Sequence, residues 1–211
     1  LRFHEGLSPY SQEQLDAWLG AFFENHVRLD LGFYMEPGLP NSYDLFTRYH
    51  LADILLNGYT GKWTESLETL METGLRRSMD VQLSDGSLAS AHRSTGQSWT
   101  LGAQCAYFRM AAGYFKERNP QLANHANQAA GRALSAFRCY QRPTGPFSPV
   151  ENLLPPNYRV GYELYAADGH YASLALAFLA TAVQAGLEGV SPSDLAPRPP
   201  GIRRFPLPTS L

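Results

Sequence analysis

The sequence has few charged residues. Asp, Glu, Lys and Arg make up 17% of its 211 residues, against about 25% in typical soluble domains. The formal net charge is -2, and no run of basic residues is longer than a pair such as Arg203-Arg204. Nucleic-acid-binding proteins need clustered basic residues to neutralise phosphates. The composition therefore argues against a nucleic-acid partner.

Long apolar runs and cysteine frameworks are also missing. No stretch of 18 apolar residues occurs, so we expect no membrane partner. The two cysteines, Cys105 and Cys139, are too few for a disulfide framework, and each lies in an apolar helical stretch. We expect both to be buried free thiols. The chain begins at Leu1 without a signal peptide, as expected of a mature form or a segment of a longer protein. The sequence does not indicate a cellular compartment.

Motifs for metals and cofactors are not found. The six His are scattered, with no HExxH and no pair at ligand spacing. There is no P-loop, no dinucleotide-binding fingerprint and no GxSxG nucleophile elbow. We therefore expect neither a metal nor a cofactor.

The sequence does contain an internal repeat. Apolar residues recur at helical spacing in six segments, which predict helices over residues 11–28, 43–57, 64–82, 98–115, 121–140 and 168–185. Turn glycines Gly32, Gly86 and Gly145 recur at intervals of roughly 55 residues, a period typical of stacked helical hairpins. We predict an all-α domain over residues 1–186 with three repeats (11–58, 64–115 and 121–186), followed by a Pro-rich tail or linker over 187–211.

Composition distinguishes the two helices of each unit. The second helices are rich in Gly and Ala, which allow close helix packing and suit an inner ring, whereas the first helices are bulkier and suit an outer ring. Two local signals are specific: Ser11 with Gln14 forms a capping box, and Asp44 with Arg48 forms an i,i+4 ion pair. The expected architecture is a partial (α/α) toroid.

This pattern resembles the α/α-toroid (six-hairpin) carbohydrate-active enzymes, which include glycoside hydrolases, unsaturated glucuronyl hydrolases and heparinase-like lyases. The resemblance rests on the alternating helices, the turns Asp85-Gly86-Ser87 and Thr144-Gly145-Pro146-Phe147, and the small-residue segment 168–175. It implies an oligo- or polysaccharide partner. Three hairpins make half of such a ring, so a second chain or a missing domain would complete it, and the tail could also cover a terminal hairpin.

In such a ring the loops before the inner helices, here residues 34–44, 89–99 and 148–171, meet at one mouth. Sugar recognition requires hydrogen-bonding groups together with flat rings. The second and third loops contain both kinds of side chain. The alternative interpretation is that these residues serve only in turns and helix caps. The predicted substrate-binding residues are His92, Arg93, Gln97, Trp99, Asn157, Tyr158, Tyr162, Tyr165 and His170.

Three carboxylates are candidates for catalysis. Glu163 lies between Tyr162 and Tyr165, where burial would raise its pKa as a general acid requires. Asp85 is a partner carboxylate from the neighbouring unit, and Asp168 is either a third carboxylate or the N-cap of its helix. Hydrolysis with paired carboxylates is the favoured function. A lyase using Tyr158 or His92 as base on a uronate, and a non-catalytic module binding a glycan or protein, remain alternatives.

Overall fold

The structure is a computed structural model that describes residues 9–38, 41–89, 94, 96–143, 145, 147–151 and 168–186. The predicted all-α fold is confirmed. Within these residues lie six α-helices and one antiparallel sheet of two short strands, in which Val27 lies opposite Tyr34. In chain order the elements are α1 (Gln12–His26), β1 (Val27–Arg28), β2 (Phe33–Tyr34), α2 (Asn41–Leu56), α3 (Thr64–Val81), α4 (Trp99–Phe115), α5 (Pro120–Arg138) and α6 (Asp168–Gln184).

Local sequence signals determine where the helices begin and end. The Ser11 Oγ accepts a hydrogen bond from the Gln14 backbone, and the Gln14 side chain accepts one from the Ser11 backbone, which confirms the predicted capping box. Asn119 caps α5, which begins with Pro120. The three turn glycines all have positive φ, a conformation that glycine adopts at little cost.

The helices pack in two layers. The second helix of each unit lies beside the next second helix, α2 against α4 and α4 against α6, while α3 and α5 pack behind α2 and α4. α1 docks on the α2–α3 connection, where Phe23 stacks on Trp63 with ring centroids 5.3 Å apart. α4 is central and is buried along almost its whole length. Within the described part of the chain, no helix is both long enough and apolar enough to cross a membrane.

Aromatic side chains join the three second helices. Phe178 of α6 contacts Phe46 and Tyr49 of α2 and Trp99 of α4, with ring centroids 4.9–6.3 Å apart. The hydroxyls of Tyr49 and Thr181 lie 3.2 Å apart. These large side chains fill the space between α2 and α6, whose backbones are separated by α4.

Three side chains are more exposed than their residue types suggest. Cys105 is buried as predicted, but Cys139 is exposed, so that prediction was wrong for Cys139. The reason is its position at the C-cap of α5, just past the last buried turn. On α6, Leu176 and Val183 are 50% and 62% exposed, leaving an apolar face on the terminal hairpin.

A buried ion pair connects the first two units. Arg48 donates from Nε and Nη2 to the two carboxylate oxygens of Asp44, at 3.0 and 2.7 Å, which confirms the predicted pair. Both residues are 2% exposed. Arg48 also donates to the Ser78 Oγ on α3 at 2.7 Å, and Asp44 accepts from the Tyr34 backbone N–H at 2.8 Å. The pair thus ties α2 to α3 and to β2.

Arg48 needs space that two glycines supply. A Cβ on Gly74 would lie 2.7 Å from the Arg48 side chain, and one on Gly32 would lie 2.4 Å from the Gly74 backbone N. Burial is the largest effect on Arg48 and disfavours its charge, but the Asp44 carboxylate and Tyr107 together outweigh it, so that the pKa of Arg48 is raised. Arg48 therefore remains charged, which makes its carboxylate partner essential.

We expect Asp44→Ala to lower the free energy of unfolding by about 3–5 kcal/mol, because it leaves a buried guanidinium without its counterion. The matched control is Glu72→Ala, which breaks the exposed Glu72–Arg76 pair of the same i,i+4 spacing and should cost about 0.5 kcal/mol or less. Urea denaturation measures both. Equal effects of the two substitutions would contradict a central role for the buried pair.

A second prediction concerns the close packing of α4 and α6. A Cβ on Gly102 would lie 2.8 Å from the Ala175 carbonyl oxygen, whereas one on Gly113 of the same helix meets nothing within 4 Å. Gly102→Ala should therefore destabilise the chain by about 1–3 kcal/mol. Gly113→Ala should stabilise it by up to about 1 kcal/mol through helix propensity. Thermal unfolding of both variants would test this, and a stabilising Gly102→Ala would contradict the contact.

Candidate functional site

The turn that carries Asp85 is held against α5. Gly86 has φ of +91°, and a Cβ there would lie 2.2 Å from the Arg132 carbonyl oxygen, so no other residue fits without movement. The Asp85 Oδ1 accepts hydrogen bonds from the backbone N–H of Ser87 at 2.9 Å and from its hydroxyl at 2.6 Å. The carboxylate of Asp85 is therefore exposed but fixed in orientation.

A buried amide stabilises this turn from below. The Gln82 Nε2 donates to the Ala129 carbonyl at 2.9 Å, and the Gln82 Oε1 accepts from the Arg132 Nε at 3.0 Å. Gln104 donates to the Gly86 carbonyl at 3.3 Å. Because these partners lie on α4 and α5, the turn is positioned by the second and third units together.

The chain entering α4 pairs with the segment 147–151 of the third unit. Ser98 donates from its backbone N–H to the Pro149 carbonyl at 3.0 Å and from its hydroxyl to the Ser148 carbonyl at 2.6 Å. The Gly96 carbonyl accepts from the Glu151 backbone N–H at 2.7 Å. These bonds bring Glu151 to the first turn of α4.

A narrow polar cleft of about 10 Å³ opens between these segments and the beginning of α2. One wall is formed where Asn41 donates from Nδ2 to the Ala89 carbonyl at 3.0 Å. A cavity of this size holds about one water-sized group, so the cleft accommodates a single small polar group. Its lining residues are Asn41, Ser42, Leu88, Ala89, Ser94, Gly96 and Thr100.

Ser94 in this lining has an unusual backbone conformation. Its φ is +61°, and it is the one non-glycine residue with positive φ in the described part of the chain. Such a conformation costs about 1–2 kcal/mol for an L-residue, and backbone strain of this kind concentrates at functional sites. The Ser94 hydroxyl donates to the Tyr43 hydroxyl at 3.2 Å, which links the second unit to α2.

Glu151 has a strongly shifted pKa. Its pKa is raised to about 7, mainly because burial disfavours the charged form. A hydrogen bond from the Thr100 hydroxyl lowers the pKa, and the charge of Asp85 raises it further. The Thr100 Oγ1 and the Glu151 Oε1 are 3.4 Å apart. A carboxyl group with this pKa can both donate and accept a proton near neutral pH.

Two of the predicted sugar-binding side chains lie in the core. Gln97 and Trp99 are each 3% exposed. Trp99 contacts Tyr43, Phe46 and Phe178 with ring centroids 5.8–6.3 Å apart. Its ring is occupied by protein neighbours and presents no face to a sugar, because α4 begins at Trp99 and directs it inward.

The remaining predicted residues fall in three groups. Asp85 lies in the turn described above, within electrostatic reach of Glu151. His170 is exposed on the first turn of α6, edge to face with Tyr171 at 5.8 Å, and Asp168 is the first residue of that helix. The others lie outside the described residues and stay predictions: His92, Arg93, Asn157, Tyr158, Tyr162, Glu163 and Tyr165.

The sequence did not single out Glu151. It follows Pro149 and Val150 at the start of the long third loop, and no spacing or motif marks it. Its environment depends on Thr100, Gly96 and Asp85, which are 51 or more residues away in sequence. Only its location in a predicted mouth loop was available as a signal.

No family model, curated protein or solved structure matches this chain. Across the part of the chain that the structure describes, no three or more His, Cys, Asp or Glu side chains are grouped as metal ligands. Function is therefore inferred from the residues around the cleft.

The raised pKa of Glu151 predicts a pH dependence of stability. The protonated carboxyl is favoured in the folded state, so the stabilisation is fully present below the unfolded value of 4.5 and is lost as the pH rises to about 7. Relative to Glu151→Gln, the wild-type free energy of unfolding should fall by about 2 kcal/mol over that range. Urea denaturation at several pH values measures it. The exposed Glu117→Gln is the control, and a constant difference between wild type and Glu151→Gln would contradict the prediction.

Proposed function

We propose that this chain is a carbohydrate-active enzyme that hydrolyses glycosidic bonds, with Glu151 as general acid and Asp85 as the second carboxylate. The observation that carries the proposal is the Glu151 carboxyl, with its pKa raised to about 7, against Thr100 beside a polar cleft between the first two units. Glycoside hydrolysis requires a carboxyl group that is protonated at neutral pH and a second carboxylate nearby.

Asp85 suits the second role because of its surroundings. It is exposed, and its Oδ1 accepts two hydrogen bonds from Ser87, which fix its orientation. Its charge raises the pKa of Glu151, as expected of a carboxylate close enough to interact with another carboxyl group. In the proposed reaction Glu151 protonates the leaving oxygen while Asp85 activates water or attacks the sugar.

The cleft offers polar contacts for hydroxyl groups. Asn41, Ser94 and Thr100 contribute amide and hydroxyl groups to its lining. The cleft admits one polar group of a bound sugar, such as a hydroxyl, with Leu88 as an apolar neighbour. Asp44, in the first turn of α2, does not serve as the second carboxylate because it is held in the buried pair with Arg48.

A panel of neutral and uronate-containing oligosaccharides tests the proposal by product analysis. Glu151→Gln should reduce turnover by about 10²–10⁴-fold, the usual contribution of a positioned acid or base, because the shape is kept and the proton is lost. Asp85→Asn should be similarly impaired, and Glu117→Gln should behave like wild type. The pH–rate profile of wild type should show an acidic group with a pKa near 7.

The competing candidates give different results in the same assay. Full activity in Glu151→Gln together with loss in Glu163→Gln would transfer the acid role to Glu163. An unsaturated uronate product that disappears in Tyr158→Phe would favour a lyase. Saturable glycan binding with no product from any substrate would favour a non-catalytic module.

A further inference from the structure

The free side of α6 is uncharged as well as exposed. Residues 169–187 contain no Asp, Glu, Lys or Arg, and Leu176 and Val183 are 50% and 62% exposed. α3 and α5 pack behind α2 and α4, whereas within the described residues no helix packs closely behind α6. A helix that is apolar on every side is normally covered on every side, which indicates that a further surface covers this one.

Burial along α6 follows two opposite stripes. Ala175, Phe178 and Ala182 are buried against the rest of the domain. The exposed stripe repeats at intervals of three and four residues, which is the a/d spacing of a coiled-coil seam. The members of this seam are Ser173, Leu176, Ala180 and Val183, with Ala177 and Gln184 along one edge. The spacing indicates that the covering element is another helix.

The seam can be covered without leaving a polar side chain unpartnered. Its one hydroxyl belongs to Ser173, whose Oγ lies 2.9 Å from the Gly169 carbonyl oxygen and 2.8 Å from that of His170 and donates within its own helix. The other three members have only alkyl side chains. Burial of an unpartnered polar group opposes association, and this seam avoids that cost.

The order of large and small side chains along the seam is self-complementary. When two α6 helices run antiparallel about a two-fold axis at the level of residue 178, Ser173 faces the second copy's Val183. In the same arrangement Leu176 faces the second copy's Ala180. Each layer then joins a small side chain to a large one, so that the two helices interdigitate. A parallel pair would place Leu176 against Leu176 and Ser173 against Ser173, which leaves bulges and gaps.

The segment that directly follows α6 does not fit such a seam. Residues 187–211 include six prolines between positions 192 and 208, and the interior of a helix does not accommodate proline. A helix with the required order of side chains is present in α6 itself. The second copy is therefore the occupant that the seam selects.

We propose that two copies of this chain associate through their α6 helices, packed antiparallel along Ser173, Leu176, Ala180 and Val183. The helix offers a footprint of about 25 by 10 Å, which is smaller than the roughly 800 Å² per partner of stable interfaces. The dimer is therefore weak and forms in a concentration-dependent way. This association is independent of the proposed hydrolytic activity.

Sedimentation of the full chain at concentrations from about 5 to 500 μM tests the association. The wild type should change from monomer to dimer over this range. Leu176→Glu should weaken the dimer at least about tenfold, because it buries a carboxylate against the second copy's Ala180 at two symmetric places. The matched control is Leu83→Glu, which changes a leucine of similar exposure, 46%, outside α6 and should dimerise like the wild type.

Disulfide trapping tests the register in a Cys139→Ser background, which removes the exposed native thiol. An equal mixture of Ser173→Cys and Val183→Cys chains should form a mixed disulfide under mild oxidation, because these positions face each other. Neither variant should cross-link by itself, because the two copies of each position lie about 15 Å apart along the helix axis, beyond the roughly 7 Å between Cα atoms that a disulfide spans. A mixture of Ser173→Cys and Leu83→Cys chains is the control and should not cross-link.

Three outcomes would overturn the inference: a wild type that stays monomeric at every concentration, equal association of wild type and Leu176→Glu, or disulfides in the single-cysteine variants as abundant as in their mixture. Far-UV spectra and unfolding midpoints at the lowest concentration, where the chains are monomeric, distinguish loss of association from loss of folding. Leu176 is half exposed, so its substitution should leave the monomer folded.

Discussion

The buried pair of Asp44 and Arg48 is the interaction on which the relative placement of the first two units depends. Its cost is high, because two charges leave water, and every neighbour is arranged to reduce it. Ser78 and the Tyr34 backbone N–H add hydrogen bonds, Gly32 and Gly74 provide room, and the Arg48 guanidinium lies 5.0 Å from the centre of the Tyr107 ring. α2 can therefore occupy only one position against α3 and α4, and the beginning of α2 is set at the same time.

That placement matters for the cleft because its walls come from different units. Asn41 opens α2 three residues before Asp44, so it moves with the ion pair. The opposite wall depends on the second polar network, in which Gln82 and Arg132 hold the turn of Asp85 and Gly86 against α5. Two buried polar networks thus fix two sides of one opening. Apolar packing alone, dominated by the small residues of α4 and α5, would tolerate sliding that these networks forbid.

The sequence allowed the helices to be predicted to within about two residues, because apolar periodicity, caps and turn glycines are local signals. It also predicted the Asp44–Arg48 pair, because the two residues are one helical turn apart and their spacing is a local signal. It could not show that Trp99 faces the core, because a tryptophan at the start of a predicted inner helix is equally compatible with stacking on a sugar ring. It missed Glu151 for a related reason: the property that distinguishes this residue, a raised pKa, arises from burial and from the charge of Asp85 and exists only once units two and three are paired.

Glu151 shows how folding itself produces the acidity that the proposed chemistry needs. Its backbone N–H is bound to the Gly96 carbonyl, so pairing the third loop with the start of α4 also buries the carboxyl. The charge of Asp85 then opposes ionisation further. Both effects cost stability above neutral pH, and a chain selected only for stability would place glutamine there. A carboxyl with a pKa near 7, within 3.5 Å of Thr100 at the first turn of α4, is the arrangement expected where stability is given up for the proposed proton transfer.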